Sequence, residues 1–406
     1  MKTTLAELAI LGGPPAFVEP LHVGRPNIGD RTRFLERVGE MLDRRWLTND
    51  GPFVKEFEGR VAALLGVRHC VATCNGTLAL ELAIRGLGLR GEVIVPSFTF
   101  VATAHALQWH GIRPVFADVD PRTHTLDPEQ VERAVTPQTS AILGVHVWGR
   151  PCAVDALTAI AKAHRLRLVF DSAHAFACSY QGTLLGRFGD AEILSFHATK
   201  FFHTVEGGAV VTNDEDLAQR ARLMRNFGFA GYDTVLTLGI NGKMNEMCAA
   251  MGLTNLEQLD DIISTNLRNY THYRRGLANV PGVSLVTYDA RERCNYQYIV
   301  LEIDAGRAGL ERDDLLEVLR AENVLARRYF YPGVHRMEPY RTLYPQPPLP
   351  GTQLLAARVL SLPTGASISP DDINALCGII ALAVTHAAEV RATVQRRRTA
   401  MGHPAD

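Results

Sequence analysis

LVFDSAHAF occupies Leu168–Phe176, and SFHATKFFHTVEGGAVVTND occupies Ser195–Asp214. The first carries an apolar run, Leu166–Asp171, that ends on an aspartate. The second begins as another apolar run, AEILSF (Ala191–Phe196), closes into a Ser/His/Thr cluster around Lys200 and leads into a third, GGAVVTN (Gly207–Asn213). Short apolar runs without polar alternation are what strands covered on both faces look like. Upstream, helix and strand patterns alternate. VKEFEGRVAALLG (Val54–Gly66) is amphipathic and closed by glycine, and HCVATC (His69–Cys74) reads as a strand. NGTLALELAIRGLG (Asn75–Gly88) opens on cap residues and reads as a helix. EVIVP (Glu92–Pro96), PVFADVD (Pro114–Asp120) and AILGVHV (Ala141–Val147) read as strands; Phe100–Gly111 and Val154–Arg165 read as helices between them. This pattern predicts an α/β fold with a mostly parallel sheet covered by helices.

The pattern changes near Asp260. A long charged helix, Ile262–Ala278, leads into strands at Val283–Val286 and Tyr296–Ile303, further helices, a Pro-rich loop (Tyr344–Pro350) and a last helix, Asp371–Ala387. The expected organisation is an irregular N-terminal arm (1–50), a large α/β domain (51–261) and a smaller α+β domain (262–406). The chain has 406 residues, 47% of them hydrophobic and 21% charged, enough apolar material for a large core. Its net charge of −1 gives no basic excess for a nucleic-acid partner or a charged membrane surface. Arg396-Arg397-Arg398 reads as a solvated tail. No apolar run approaches the ~18 residues of a bilayer span, and the expectation is a cytoplasmic protein. Seven scattered cysteines fit reduced, mostly buried thiols, and Cys70 and Cys74 have no second close pair to complete a metal site, so none is expected.

Gly86-Leu-Gly88-Leu-Arg-Gly91 fits G-x-G-x-x-G, but it follows a helix and leads into a strand, the reverse of a dinucleotide loop. The chemistry points elsewhere. In open α/β sheets ligands sit beyond the carboxyl ends of strands, where Asp171 and Lys200 could reach one crevice. A lysine that forms a Schiff base and an aspartate that keeps a pyridine nitrogen protonated are what pyridoxal phosphate chemistry needs. Asn75-Gly76-Thr77, at a helix start, offers free N–H groups to a phosphate, although an ordinary N-cap uses the same residues. Ser195 could add a hydroxyl, and Phe98 or Phe100 an aromatic cover, although core packing is the default for either. His105, His110, His146, His197 and His203 read as structural.

These blocks occur in an order that resembles the DegT-type sugar aminotransferases, along nearly the whole chain. The matching stretches include LTNDGPFVKEFE (Leu47–Glu58), CNGTLAL (Cys74–Leu80), EVIVPSFTFVATA (Glu92–Ala104), FDSAHA, SFHATK, GINGKMNEMCAAMGL (Gly239–Leu253) and YFYPGVHRMEPY (Tyr329–Tyr340). Within that family Leu11–Asn27, HVWGRPC (His146–Cys152) and VLSLPTGASI (Val359–Ile368) resemble the 4-aminotransferases of desosamine formation, which act on a dTDP-4-keto-6-deoxyglucose. The resemblance implies the aspartate-aminotransferase fold (fold type I), pyridoxal 5'-phosphate as cofactor, L-glutamate as amino donor, and a homodimer with shared active sites. It matches Lys200 to the Schiff-base lysine, Asp171 to the partner of the pyridine nitrogen, His174 to a position near the ring hydroxyl and Phe100 to the stacking aromatic. Gly76, Thr77 and Ser195 match phosphate contacts, Asn241 a phosphate contact made from the neighbouring subunit, and His335 the sugar side. Lys243 and Asn75 depart from the arginine and serine of many relatives, and a lysine lacks the bidentate fork of an arginine. Dehydratases of the family carry histidine in place of the lysine, so Lys200 favours transamination. A 3-keto sugar aminotransferase, a dehydratase of the same fold and a non-catalytic nucleotide-sugar binding protein stand as alternatives.

Overall fold

The computed structural model describes residues 2–345 and 348–400. Gln346 and Pro347, inside the expected Pro-rich loop, and residues 401–406 lie outside the described residues. A seven-stranded sheet organises the first two thirds of the chain. Its strands lie side by side in the order His69–Thr73, Gly208–Thr212, Ala191–Ser195, Arg167–Asp171, Thr139–Val145, Glu92–Pro96, Arg113–Ala117. Gly208–Thr212 is antiparallel to both neighbours; the pairs among the remaining strands are parallel. Four of the parallel strands therefore deliver their carboxyl ends, at Thr73, Pro96, Asp171 and Ser195, to one edge of the sheet.

The helices start where the sequence supplies caps. Asn75 accepts from the Leu78 N–H to open Gly76–Gly86, and Asp214 does the same for Glu215–Met224 through Leu217. Pro52 opens Pro52–Leu65, which ends on left-handed Gly66. Its N-terminus is also held from outside, because buried Glu246 accepts from the Phe53 and Val54 N–H groups, 2.9 Å each.

A three-stranded antiparallel sheet, in the order Val283–Leu285, Ile299–Ile303, Val359–Leu362, forms the C-terminal unit with helices Leu259–Leu277, Arg312–Ala321 and Pro370–Thr385. One buried cluster joins the two sheets: Tyr298, Val300, Phe330 and Tyr340 pack with Phe98, Val145 and Trp148.

Several expectations need correction. Residues 1–50 are not an irregular arm. Arg31–Arg44 is a helix capped by Asp30, and it buries Met41 with the core that also holds Phe53 and Phe57. Leu8, Ile10 and Phe17 are core residues of the C-terminal unit, and Leu21-His22 pair in parallel with Val324-Leu325. Buried Glu322 ties this segment down, accepting from Lys2 Nζ (2.6 Å) and from the Ala9 and Ala16 N–H groups (2.8 Å each). The basic run is not a tail: it lies in helix Ala387–Ala400, where Arg398 pairs with Asp314 at 3.4 Å. Among the described residues no single helix is long and apolar enough to cross a membrane. All seven cysteines are free thiols, six of them buried.

Candidate active site

The strand ends enclose a cavity of about 430 Å³, floored by the large sheet and closed on one side by Tyr298, Tyr329 and Phe330 of the C-terminal unit. Seven of the nine residues singled out from sequence line it: Gly76, Thr77, Phe100, Asp171, His174, Ser195 and Lys200.

Asp171 is buried at its strand end. Thr103 Oγ1 donates to its Oδ2 at 2.9 Å and the Ala173 N–H donates to its Oδ1 at 3.1 Å. Thr99 stands behind Thr103 at 3.0 Å. Burial pushes the Asp171 carboxyl above its ordinary range, while the Ala173 N–H, the Thr103 hydroxyl and Lys200 pull the other way. An ionised carboxylate here is short of positive charge, which is what a protonated ring nitrogen supplies.

Lys200 sits in the loop between strands Ala191–Ser195 and Gly208–Thr212. Removal from water pushes its amine down to about 8, and Asp171 partly opposes the shift. Its Nζ donates no hydrogen bond to a described residue, so the group is free to react. The loop is held on both flanks: Phe201 and Phe202 are buried, the Phe201 N–H donates to Gln297 Oε1 (3.1 Å), and Asn27 Nδ2 donates to the Phe201 carbonyl (2.9 Å). Asn255 Nδ2 donates to the His203 carbonyl, and His203 Nε2 bonds the Asn27 carbonyl.

The first-turn N–H groups of Gly76 and Thr77 have no acceptor within their helix, and the dipole there favours an anion. A Cβ on Gly76 would stand 3.0 Å from Ser195 Cβ, so only glycine keeps this corner open for a phosphate-sized group. The two candidate phenylalanines separate cleanly. Phe98 is fully buried against Trp148 and Phe330, whereas Phe100 is 58% exposed and faces the cavity. A phosphate corner, an under-compensated buried carboxylate, an unbonded amine and an uncovered aromatic face together fit pyridoxal 5'-phosphate.

Two sequence expectations fall outside the cavity. Asn241 is exposed on a segment whose neighbours Ile240, Leu238 and Leu236 are also exposed. His335 is buried elsewhere: its Nδ1 meets Ser97 Oγ at 2.6 Å, and its backbone N–H donates to the same oxygen. It packs behind the strand end, outside the residues that line the cavity. Sequence reading missed Thr103, Trp148, Asn27, Tyr298 and Gln297. Thr103, Trp148 and Asn27 lay inside quoted blocks, Thr103 one helical turn after Thr99; Gln297 and Tyr298 lay in an expected strand, and tertiary contacts alone bring them to the cavity.

A family model described as the DegT/DnrJ/EryC1/StrS aminotransferase family matches residues 29–381. The chain is 35% identical over 362 residues to a dTDP-4-amino-4,6-dideoxy-D-glucose transaminase of Shigella dysenteriae, covering 89% of this chain and 98% of that protein. It is 33% identical to a GDP-perosamine synthase of Escherichia coli O157:H7, covering 84% and 93%. Among solved structures it superposes on DesI, crystallised in the presence of its TDP-sugar product, with a TM-score of 0.93 and 53% identity over 97% of this chain and 100% of that one. The fold is that of the type I aminotransferases.

Proposed function

Since this chain belongs to the DegT/DnrJ/EryC1/StrS aminotransferase family, we propose that it transfers an amino group from L-glutamate to the 4-keto carbon of a dTDP-4-keto-6-deoxyhexose, giving dTDP-4-amino-4,6-dideoxyglucose. The observation that carries the reading is the pairing of an unbonded, low-pKa Lys200 with a buried Asp171 in one cavity. The substrate assignment rests on the 53% identity to DesI and on the transaminase named for the same sugar.

In this reading Lys200 would hold pyridoxal 5'-phosphate, Asp171 would pair with its ring nitrogen, Phe100 would cover the ring, and Gly76, Thr77 and Ser195 would hold the phosphate. When bound, the cofactor supplies an electron sink for the carbon that loses its proton. Thr103 and the Ala173 N–H aim Asp171 and favour its ionised form against the cost of burial. An amine with a pKa of about 8 is neutral in a useful fraction near neutrality. Lys200 can therefore take a proton from the donor's α-carbon and return it on the other side of the exchange. Tyr298, Tyr329 and Phe330 exclude water from the side away from the sheet. Asn241, exposed and outside its own cavity, would reach the phosphate of a second copy in a homodimer, and the exposed apolar side chains around it support such a contact.

The test is a product assignment. Protein, pyridoxal phosphate, L-glutamate and dTDP-4-keto-6-deoxyglucose are incubated and the new amine is located by NMR. An amine at C4 is expected and should vanish in Lys200→Ala. An amine at C3 of a 3-keto isomer, or dehydration with no amine, overturns the assignment.

A further inference from the structure

HVWGRPC (His146–Cys152) centres on Trp148. Trp148 is fully buried and holds a left-handed backbone, φ 63° and ψ 5°, unusual for a bulky residue. Its two N–H groups face opposite ways. The indole Nε1–H donates to His124 Nδ1 at 3.1 Å, and His124 Nε2 faces Glu302 Oε1 at 3.1 Å. The backbone N–H donates to His174 Nδ1 at 3.3 Å.

That second bond fixes the proton on His174. Nδ1 accepts, so it carries no hydrogen, and a neutral imidazole keeps its single proton on Nε2. Burial and the nearby Lys200 both hold the ring neutral. Nε2 lies 3.2 Å from Tyr298 Oη, so His174 donates and the tyrosine oxygen accepts. The hydroxyl hydrogen of Tyr298 must then point elsewhere. No described residue accepts it, and Tyr298 lines the cavity. The His174, Trp148 and Phe330 rings pack mutually, with centroids 5.4–6.0 Å apart, and turning the His174 ring over would take both nitrogens off these partners.

We propose that Tyr298 is an oriented hydrogen-bond donor of this cavity, aimed by the chain Trp148 N–H to His174 Nδ1 and His174 Nε2–H to Tyr298 Oη, and that it donates to an oxygen of the bound group. His174 is then a positioning residue that acts through Tyr298. The inference rests on the proposed aminotransferase reading. The acceptor is a ring oxygen of the cofactor or a hydroxyl or carbonyl oxygen of the sugar.

Tyr298→Phe separates the two sources, since it removes one hydroxyl and keeps the ring packing. If the acceptor is on the cofactor, affinity for pyridoxal phosphate falls about tenfold and the bound absorption maximum moves with no sugar present. If it is on the sugar, cofactor binding and spectrum stay as in wild type and the sugar's KM rises about tenfold with kcat little changed. No change in either overturns the proposal. His174→Gln, with one acceptor and one donor, should resemble wild type in these readouts, and His174→Leu should resemble Tyr298→Phe. If Gln and Leu fall together, the orienting chain is wrong. Wild type that takes up no pyridoxal phosphate would refute the aminotransferase reading instead, so the two failures are distinguishable.

Discussion

Replacing Glu192 by Gln should tilt stability against pH in one direction, and replacing His146 by Gln should tilt it in the other. Both residues are fully buried immediately behind Asp171. Ser172 Oγ and the Phe188 N–H donate to the Glu192 carboxylate, and the Cys152 N–H donates to His146 Nδ1 at 2.9 Å. His146 Nε2 stands 3.8 Å from Glu192 Oε2, and the His146 N–H donates to the Asp171 carbonyl. Burial raises the Glu192 carboxyl from 4.5 to about 7 and lowers the His146 imidazole from 6.5 to about 3. A raised acid stabilises the fold fully below 4.5 and loses that contribution as pH rises through 7. A depressed histidine stabilises it above 6.5 and loses that contribution as pH falls through 3. Between 4.5 and 6.5 the folded pair holds one proton, on whichever residue, and the unfolded chain also holds one, on histidine. The wild-type pair therefore adds no slope in that window.

Each single variant removes half of this cancellation. In Glu192→Gln the folded state holds no proton at the site, and stability should climb by about 1.4 kcal/mol per pH unit relative to wild type, about 3 kcal/mol across the window. In His146→Gln it should fall by about the same amount as pH rises. Urea unfolding of the three proteins at matched pH values between 4.5 and 6.5 measures this, the difference from wild type cancelling all other titrations. Three parallel curves would show that the pair is solvated or already charged on both members, and the reasoning would be refuted.

Three shorter predictions follow from the same structure. Gly76→Ala should leave unfolding midpoints nearly unchanged but weaken pyridoxal phosphate binding by about tenfold or more, because the added methyl meets Ser195 in the phosphate corner; fluorescence titration reads it. The rate at which cofactor-free protein captures pyridoxal phosphate should rise with pH to half its maximum near 8, because only the neutral Lys200 amine attacks the aldehyde; a half-maximum above 10 would remove the case for a desolvated lysine. Glu322→Ala should destabilise the protein by about 3 kcal/mol, because it leaves the largely buried Lys2 ammonium without its counter-charge and the part-buried Ala9 and Ala16 N–H groups without their acceptor; a loss under about 1 kcal/mol in denaturant melts would show that the N-terminal segment docks by its apolar residues alone.

The large sheet was legible because its strands are short, apolar and bounded by turn residues. The predicted runs at Glu92–Pro96, Leu166–Asp171 and Ala191–Phe196 differ from the observed strands by at most a residue at an end. What escaped has physical reasons. Helix Glu246–Leu256 buries nine of its eleven residues and so shows no polar face for periodicity to detect. Helix Arg31–Arg44 carries few apolar residues, although Phe34, Val38 and Met41 repeat at helical spacing. That Gly76, Thr77, Asp171 and Lys200 share one cavity was legible because each lies at, or a few residues beyond, a strand end or helix start that sequence locates. That His335 sits outside the cavity lining was not legible, because its position is set by Ser97, 238 positions earlier in the chain.

Neutral amides, rather than charges, hold the two loops that bring His174 and Lys200 to the cavity, and this choice follows from electrostatics. Asn295 Nδ2 donates to the carbonyls of His174 and Phe176, its Oδ1 accepts from the Gln297 N–H, and Gln297 Oε1 receives the Phe201 N–H beside Lys200. Asn27 and Asn255 close the far side of the same loop. A buried arginine or glutamate could make similar contacts, but it would carry its own desolvation cost and add an unscreened charge beside Lys200. A second cation there would depress the Lys200 amine further and pull on Asp171; a second anion would raise it out of the range useful for proton transfer. Amides bind both partners of a backbone while contributing no net charge, so Asp171 is left as the one charged group that acts on the Lys200 amine against the cost of its burial. The C-terminal segment Asn295–Tyr298 thus orders both loops and supplies the cavity's tyrosine donor, which places the site at the junction of the two sheets.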